Sequence, residues 1–213
     1  MDKIHNWHNE TIGKKVVEAL RKNCFDAIYM TSKEEAADYI LKNVKSGDSV
    51  GFGGSATIKA LDIQDKIKQM GAKILDHAAP ELSPEEKMQV KREQLISDLF
   101  LCSSNAITLN GELVNVDGAG NRVAAMTFGP KKVIVVVGTN KICKDEEAAF
   151  ERIKMEAAPM NTKRLGLSTP CAATGICMDC KSEDRICRAY SVLKKMPMNA
   201  DITVIIVGES LGF

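Results

Sequence analysis

Residues 133–137 are five consecutive β-branched residues, and a glycine follows them directly. A run this apolar is typical of a strand buried on both faces, as at the centre of a parallel sheet. A second apolar stretch, residues 202–207, lies near the end of the chain, and segments with helical periodicity separate the apolar runs. This alternation predicts an α/β fold with a largely parallel central sheet.

The 213 residues predict a single α/β domain over residues 1–213, with a cysteine-rich loop at 171–187 inserted near the C-terminus. A net charge of +1 supplies no basic surface, which argues against nucleic acid as a partner. No apolar run is long enough to span a bilayer, and the first residues do not resemble a secretory signal. We therefore expect a cytoplasmic protein without a membrane partner.

Three local patterns predict where elements begin or turn. An apolar stripe predicts a helix from Thr11, preceded by a frayed segment that contains His5 and His8. Thr31, followed three residues later by Glu34, predicts a capping box at the start of the next helix. The Asn-Gly pair at positions 110 and 111 predicts a β-hairpin.

The first candidate site is the glycine-rich segment 51–57, between a predicted strand and a predicted helix. Gly53 and Gly54 allow the backbone to approach an anion closely, and Ser55 and Thr57 add hydroxyl donors. The segment matches neither the Walker A pattern nor the dinucleotide fingerprint. The alternative is a plain tight turn with Ser55 as the helix N-cap.

The second candidate site is the glycine-rich turn 116–122. Here Asp117 can orient a substrate hydroxyl, and Arg122 can clamp a carboxylate or phosphate with two hydrogen bonds. In the alternative interpretation, Asp117 caps the following helix and Arg122 is solvated. Two further candidates follow predicted strands, where α/β sheets bind ligands: Asn105, and Lys141 as a substrate-binding cation.

Four of the seven cysteines fall within seventeen residues, with the spacing C-x5-C-x2-C-x6-C. They are Cys171, Cys177, Cys180 and Cys187. In a reducing compartment such a cluster favours metal ligands over disulfides, and four thiolates suit either zinc or an iron–sulfur cluster. The spacing leaves that choice open, together with a dithiol or redox pair and coincidence.

The remaining cysteines and histidines give weaker signals. Cys24, Cys102 and Cys143 stand apart from the cluster, so we expect them to be small buried residues. His77 follows a predicted strand and can act as an acid or base, but an incidental position is the simpler interpretation. No histidine has an evident nucleophile as partner.

Taken together, four segments resemble the LUD-domain family of lactate-utilisation proteins. They are residues 49–57, which read SVGFGGSAT; residues 98–122, which contain the hairpin and the second glycine turn; residues 129–141; and residues 205–213. The resemblance implies a three-layer α/β/α fold like that of ribose-5-phosphate isomerase, glucosamine-6-phosphate deaminase and the CoA transferases.

The resemblance also implies that both glycine turns face one ligand cleft. The residues that it places there are Gly53, Gly54, Ser55, Asn105, Asp117, Gly118, Gly120, Asn121, Arg122 and Lys141. The catalytic glutamate of CoA transferases matches no position here, which argues against transferase activity.

The predicted function is binding of a small anionic metabolite in support of the oxidation of lactate or a related 2-hydroxy acid. Asp117 and Arg122 are the predicted catalytic residues, and the four-cysteine metal centre would serve a possible iron–sulfur redox partner protein. One alternative is an isomerase or transferase for a sugar phosphate or CoA ester, with structural zinc. Another is a non-catalytic ligand-binding subunit. Relatives of this fold commonly associate, so a homo-oligomer is also an expectation.

Overall fold

A computed structural model describes residues 3–213 and shows strands alternating with helices. The strands are β1 (Asp26–Met30), β2 (Ser49–Phe52), β3 (Lys73–Asp76), β4 (Leu99–Cys102), β5 (Ala106–Thr108), β6 (Leu113–Asp117), β7 (Lys132–Gly138), β8 (Ile142–Cys143), β9 (Ala189–Leu193) and β10 (Ile202–Val207).

The α-helices are α1 (Lys3–Lys22), α2 (Lys33–Lys42), α3 (Ala56–Lys59), α4 (Gln64–Gln69), α5 (Pro84–Gln94), α6 (Asn121–Thr127), α7 (Glu146–Arg152), α8 (Ala158–Arg164) and α9 (Pro170–Thr174). A 3-10 turn, Thr139–Lys141, follows β7, and a π-helical turn, Ile153–Ala157, joins α7 to α8. Across residues 3–213, no helix combines the length and the apolar character that crossing a lipid bilayer demands.

Six strands form a parallel sheet in the order β1-β10-β7-β4-β2-β3. β7 and β10 are neighbours inside this sheet, where all of β10 and all but the first residue of β7 are buried. Burial on both faces accounts for the long apolar runs of these two strands. The predicted α/β fold with a largely parallel central sheet is confirmed.

Helices cover both faces of this sheet. From β7, Ile134 and Val136 pack in one apolar cluster with Ile40 of α2. Val135, on the opposite face of the same strand, packs in a second cluster with Leu20 of α1. Alternate side chains of one strand therefore enter different helix layers, which confirms the three-layer α/β/α architecture.

A second, smaller sheet has the order β8-β5-β6-β9. β5 and β6 are antiparallel and are joined by the Asn-Gly turn, so the predicted hairpin is confirmed. Gly111 has φ +76, and a Cβ atom on it would lie 2.6 Å from the backbone nitrogen of Leu20 in α1. Both the turn and its contact with α1 therefore require glycine at this position.

The first helix starts earlier than the apolar stripe predicted. It begins at Lys3 and includes His5 and His8, so the expectation of a frayed segment there was wrong. The side-chain amide of Asn9 donates to the backbone oxygen of Gly208, 3.1 Å away, just after β10. This long-range contact anchors the early part of α1, and no local sequence pattern predicts it.

The capping residue of α2 was predicted one position too early. Ser32, not Thr31, is the N-cap, and its side chain accepts a hydrogen bond from the amide of Glu35 at 3.3 Å. Thr31 instead donates its amide and its hydroxyl to the Glu35 carboxylate. Both Thr31 and Ser32 have a glutamate three residues later, so the pattern alone did not distinguish them.

The three isolated cysteines divide between the interior and the surface. Cys102 and Cys143 are buried as predicted, and burial raises the pKa of Cys102 to about 12. Cys24 is exposed, so the expectation of burial was wrong for this residue. It lies just beyond α1 with φ +67, where the chain reverses at the surface.

Candidate functional site

A cleft of about 450 Å³ lies at the carboxyl edge of the central sheet. The segments that follow β2, β3, β4 and β7 form one side of it, and the end of β6 with the second glycine turn forms the other. The sequence-predicted residues that line it are Gly53, Gly54, Ser55, Thr57, Asn105, Asp117, Gly118, Asn121, Arg122 and Lys141. Gly120 is not among the lining residues; with φ +79 it precedes α6 and supplies the left-handed turn.

The first glycine turn passes close to β4. A Cβ atom on Gly53 would lie 3.1 Å from the Cβ atom of Cys102, and the Gly53 amide donates to the Leu101 oxygen at 2.9 Å. Gly54 has φ +70, a conformation that favours glycine. Ser55 is the N-cap of α3 and accepts from the Ile58 amide at 3.3 Å, as the alternative interpretation held.

In the second glycine turn, Arg122 is buried and its donors are all used inside the protein. Its Nε and Nη2 atoms donate to the Asp117 carboxylate at 3.0 and 2.6 Å. Its Nη1 atom donates to the Ser103 backbone oxygen and to Asn115 Oδ1, and Nη2 also reaches Asn105 Oδ1 at 2.7 Å. The guanidinium therefore ties β6 to the segment after β4. A solvated Arg122, one of the two predicted alternatives, is not what the structure shows.

The other Asp117 oxygen accepts from the Val123 amide at 3.0 Å, so this carboxylate also caps α6. The Asn105 Oδ1 atom accepts from Arg122 and from the Val116 amide, which fixes the orientation of the Asn105 side chain. Its amino group then remains as a donor on the cleft wall. Arg122 and Asp117 thus act as a brace that presents Asn105.

Lys141 lies behind the first glycine turn and is only 2% exposed. Its Nζ atom donates to Thr57 Oγ1 at 2.8 Å, Ser103 Oγ at 3.1 Å and the Ser104 backbone oxygen at 3.4 Å. Burial is the main cause that lowers the pKa of Lys141 to about 7, and the charges of Arg152 and Arg122 lower it further. No carboxylate among residues 3–213 forms an ion pair with it. Within residues 3–213, this buried cation therefore lacks an anionic partner.

Sequence reasoning missed several polar residues of the cleft. Lys87 and Lys91 are one turn apart on α5, and Asn161 and Arg164 lie on α8 across the opening. His77, which the sequence left as incidental, lines the cleft directly after β3. The i, i+4 spacing of the two lysines was the one available signal, since it puts both on one helix face.

Five cationic side chains and one carboxylate therefore line the cleft. The cations are Lys87, Lys91, Arg122, Lys141 and Arg164, and the carboxylate is Asp117. Because Asp117 is paired with Arg122, no side-chain carboxylate among the lining residues of 3–213 is left to balance the other four cations. The electrostatic field in this cleft favours an anion.

The cysteine-rich loop is attached to the helix pair α7–α8 at the π-helical turn. The Ala158 amide donates to the Ile153 oxygen there, and Pro159 has no amide hydrogen. The oxygen of Lys154 consequently has no partner within the helix. It accepts instead from the Cys177 amide at 3.0 Å, so Pro159 creates the acceptor that holds the loop.

The other end of the loop forms part of the cleft wall. Ile186 lines the cleft, and a Cβ atom on Gly118 would lie 3.4 Å from the Ile186 Cα atom. The Arg188 amide donates to the backbone oxygen of Asp117 at 3.0 Å. From there, β9 continues antiparallel to β6. The C-terminal end of the cysteine-rich loop and the second glycine turn are therefore in direct contact.

The four clustered thiols share one region of the loop. Burial raises the pKa of Cys187 to about 11, and the thiols of Cys177, Cys171 and Cys180 raise it further, against a lowering by Arg185. The Asp179 amide donates to the Cys177 sulfur at 3.4 Å. An N–H group directed at sulfur stabilises a thiolate, so the donor chemistry fits a metal site.

The arrangement of these thiols is not that of assembled ligands. Across residues 3–213, no three histidine, cysteine or acidic side chains are placed to hold one metal ion. Cys171 is buried and has two hydroxyl neighbours, Thr162 at 3.4 Å and Thr169 at 3.3 Å. Cys177, Cys180 and Cys187 are partly exposed. Because no metal-holding group is found among residues 3–213, the four sulfurs would have to move to bind one ion.

Comparisons with known proteins agree with this fold. The family model of the LUD domain matches residues 13–207. The crystal structure of a DUF162 family protein from Deinococcus radiodurans superposes with a TM-score of 0.53 at 16% identity, covering 93% of this chain and 98% of that one. The structure of eIF2B beta from Chaetomium thermophilum has a TM-score of 0.38 at 16% identity, over 55% of this chain and 44% of that one. No curated protein matches the sequence.

Proposed function

The chain belongs to the LUD-domain family, and from this membership and the charge of the cleft we propose that it binds a small anionic metabolite in support of the oxidation of lactate or a related 2-hydroxy acid. The observation that carries the proposal is the set of four cations that no side-chain carboxylate of residues 3–213 balances in the cleft. A carboxylate ligand would supply the missing negative charge.

In this proposal, the ligand carboxylate lies beside the first glycine turn. The backbone amides of Gly54 and Ser55 bind it, and the charge of Lys141, whose Nζ atom contacts Thr57 Oγ1, stabilises it. The amino group of Asn105 orients the ligand hydroxyl, since its oxygen is already held by Arg122. Arg122 and Asp117 keep Asn105 in place and do not contact the ligand charge themselves.

The four-cysteine loop would hold a metal centre next to this cleft. Cys171, Cys177, Cys180 and Cys187 would be its ligands, with the Asp179 amide supporting one sulfur. An iron–sulfur cluster there would supply electron transfer to a partner redox protein, whereas zinc would supply only a structural link. The contact between Ile186 and Gly118 puts the loop against the ligand cleft.

Purification without oxygen, followed by metal and acid-labile sulfide analysis, tests the metal centre. Calorimetry with L-lactate and pyruvate tests the cleft. We expect iron and sulfide together with binding of one of these carboxylates. Bound zinc without sulfide would remove the electron-transfer role, and the absence of carboxylate binding would overturn the proposed ligand.

A non-catalytic ligand-binding subunit is a second candidate, favoured by the pairing of Asp117 with Arg122. Both predicted catalytic residues are hydrogen-bonded to each other and to other groups of the protein. Neither is therefore free to act as an acid or a base or to bind the anion of a ligand. Asp117→Asn distinguishes the two candidates. Loss of 2-hydroxy-acid oxidation by cells that carry the variant, with retained ligand binding, would indicate catalysis, and retention of both would indicate a binding subunit.

A further inference from the structure

His77 places one edge of its ring on the wall of the cleft, beside the first glycine turn. A Cβ atom on Gly54 would lie 3.4 Å from His77 Nε2 and 3.6 Å from Cε1. His77 is also among the residues that line the cleft. No residue among 3–213 accepts a hydrogen bond from Nε2. This nitrogen is therefore available to a ligand next to Gly54.

The opposite edge of the ring contacts a buried amide whose orientation is fixed. Gln94 is 1% exposed, and its Nε2 atom donates to the Phe52 oxygen at 2.9 Å and the Leu75 oxygen at 2.8 Å. Both partners are acceptors, so a flipped amide would direct its oxygen at two carbonyls. The same Gln94 nitrogen lies 3.1 Å from His77 Nδ1.

This contact decides which ring nitrogen carries the proton. An amide nitrogen has two hydrogens and accepts no hydrogen bond, so a proton on His77 Nδ1 would face another donor. The two Gln94 hydrogens already point at the Phe52 and Leu75 oxygens and are at most shared with Nδ1, so the contact favours an unprotonated Nδ1 and a proton on Nε2, at the cleft. Burial is the main cause that lowers the pKa of His77, followed by the charge of Lys91, while Asp76 acts in the opposite direction. The lowered pKa favours the neutral ring.

We propose that His77, locked by Gln94 in the Nε2–H form, is a ligand-binding residue that donates a hydrogen bond to an oxygen of the anion held beside Gly54. This inference rests on the proposed function, because it requires an anion in the cleft. The lysines of the cleft attract any anion, whereas a neutral donor of fixed direction selects an acceptor oxygen at one position. The ligand group is a carboxylate or phosphate oxygen.

The locked form is tested first, by nitrogen-15 NMR of the imidazole rings in the wild-type protein. We expect His77 to show a protonated Nε2 and an unprotonated Nδ1, and to stay neutral to a lower pH than a histidine side chain of ordinary pKa. A protonated Nδ1 in the wild type would overturn the proposal.

The ligand contact is tested by calorimetry with two probes, L-lactate and inorganic phosphate. His77→Phe keeps a flat ring without a donor, and we expect binding about tenfold weaker. His77→Gln restores an N–H group near the Nε2 position and should stay within about threefold of the wild type. His8→Phe, on the exposed face of α1, is the matched control and should change nothing.

The outcomes separate this inference from the proposed function. If the wild type binds a probe and the His77 Nε2 signal shifts on binding, both are supported. Binding without that shift, and with unchanged affinity in His77→Phe, would overturn the role of His77 alone. If neither probe binds the wild type, the anion cleft itself is overturned and the role of His77 falls with it. The probe that binds identifies the anionic group.

Discussion

Lys141 is a residue whose charge opposes folding until a ligand arrives. Its pKa is about 7 in the folded chain against an ordinary 10.5, so the unfolded chain binds more protons between these two pH values. The free energy of unfolding should therefore rise with pH across this window, by up to about 1.4 kcal/mol per pH unit from this group. Below pH 7 Lys141 is charged in both states, and the full free-energy cost of burying its ammonium group lowers the free energy of unfolding.

Urea unfolding of wild type and Lys141→Met from pH 6 to 10 measures this effect. The variant should lose the rise in stability, while Lys59→Met, at an exposed position of α3, should keep it. Equal slopes for wild type and Lys141→Met would contradict the burial of a charged amine.

Arg122 is predicted to be the most sensitive residue of the second glycine turn. Arg122→Lys removes the fork that binds Asp117 and takes one donor from each of the side-chain oxygens of Asn105 and Asn115 in the interior. We expect a loss of about 3 kcal/mol in the free energy of unfolding, because a buried pair is broken on one side. The matched control, Arg164→Lys at the exposed cleft opening, should cost less than about 0.5 kcal/mol. Similar losses in the free energy of unfolding in both variants would show that Arg122 does not brace Asp117 and Asn105.

The position of these residues was predictable from the sequence, but their contacts were not. Asp117 and Arg122 stand in a glycine turn and reached the cleft as expected. Asn115 lies inside β6 and gives no signal, yet its side chain joins Arg122 to the segment after β4. His77 had no recognisable partner because Gln94 comes from a helix seventeen residues later. Motif and strand-end position identify a site, whereas hydrogen bonds between distant segments decide what each residue does there.

At the scale of elements, Pro159 determines how the cysteine loop is held. With Pro159→Ala, residue 159 gains an amide, and the π-helical turn can relax to an α-helix in which the Lys154 oxygen is satisfied internally. The Cys177 amide then loses its acceptor. We expect several-fold faster hydrogen exchange at Cys177 and faster reaction of its thiol with a maleimide.

Pro170→Ala is the matched control for this change. Pro170 is the first residue of α9, where a missing amide costs no helical hydrogen bond. Exchange at Cys177 should therefore stay at its wild-type rate. If Pro159→Ala also leaves that rate unchanged, the link between the loop and the helix pair does not depend on the proline.

Element boundaries were predicted best where one local feature dominates. The Asn-Gly turn closes the hairpin as that pair predicts. The start of α1 depends instead on the contact between Asn9 and Gly208, which are distant in sequence. The N-cap of α2 was predicted one residue too early, because two consecutive residues satisfy the same capping pattern.

At the scale of the molecule, the cleft follows from the topology. All strands of the central sheet are parallel, so the segments that carry Gly54, His77, Asn105 and Lys141 all leave the same edge. The second sheet adds the wall around Asp117, and β9 connects that wall to the cysteine loop. A change in the loop is therefore expected to reach the ligand.

The last prediction concerns this coupling between the loop and the cleft. Cys177→Ser combined with Cys180→Ser removes two of the four thiols, and the loop that packs Ile186 against Gly118 should become less ordered. We expect a lower melting temperature and several-fold weaker binding of the carboxylate that the wild type binds, although neither cysteine lines the cleft. Cys24→Ser, an exposed cysteine outside the cluster, is the control and should match the wild type in both measurements. If the loop positions Ile186 against Gly118, this part of the cleft wall cannot keep its geometry when the loop becomes disordered. A variant that loses metal but binds the ligand as well as the wild type would therefore show that the loop and the cleft are independent.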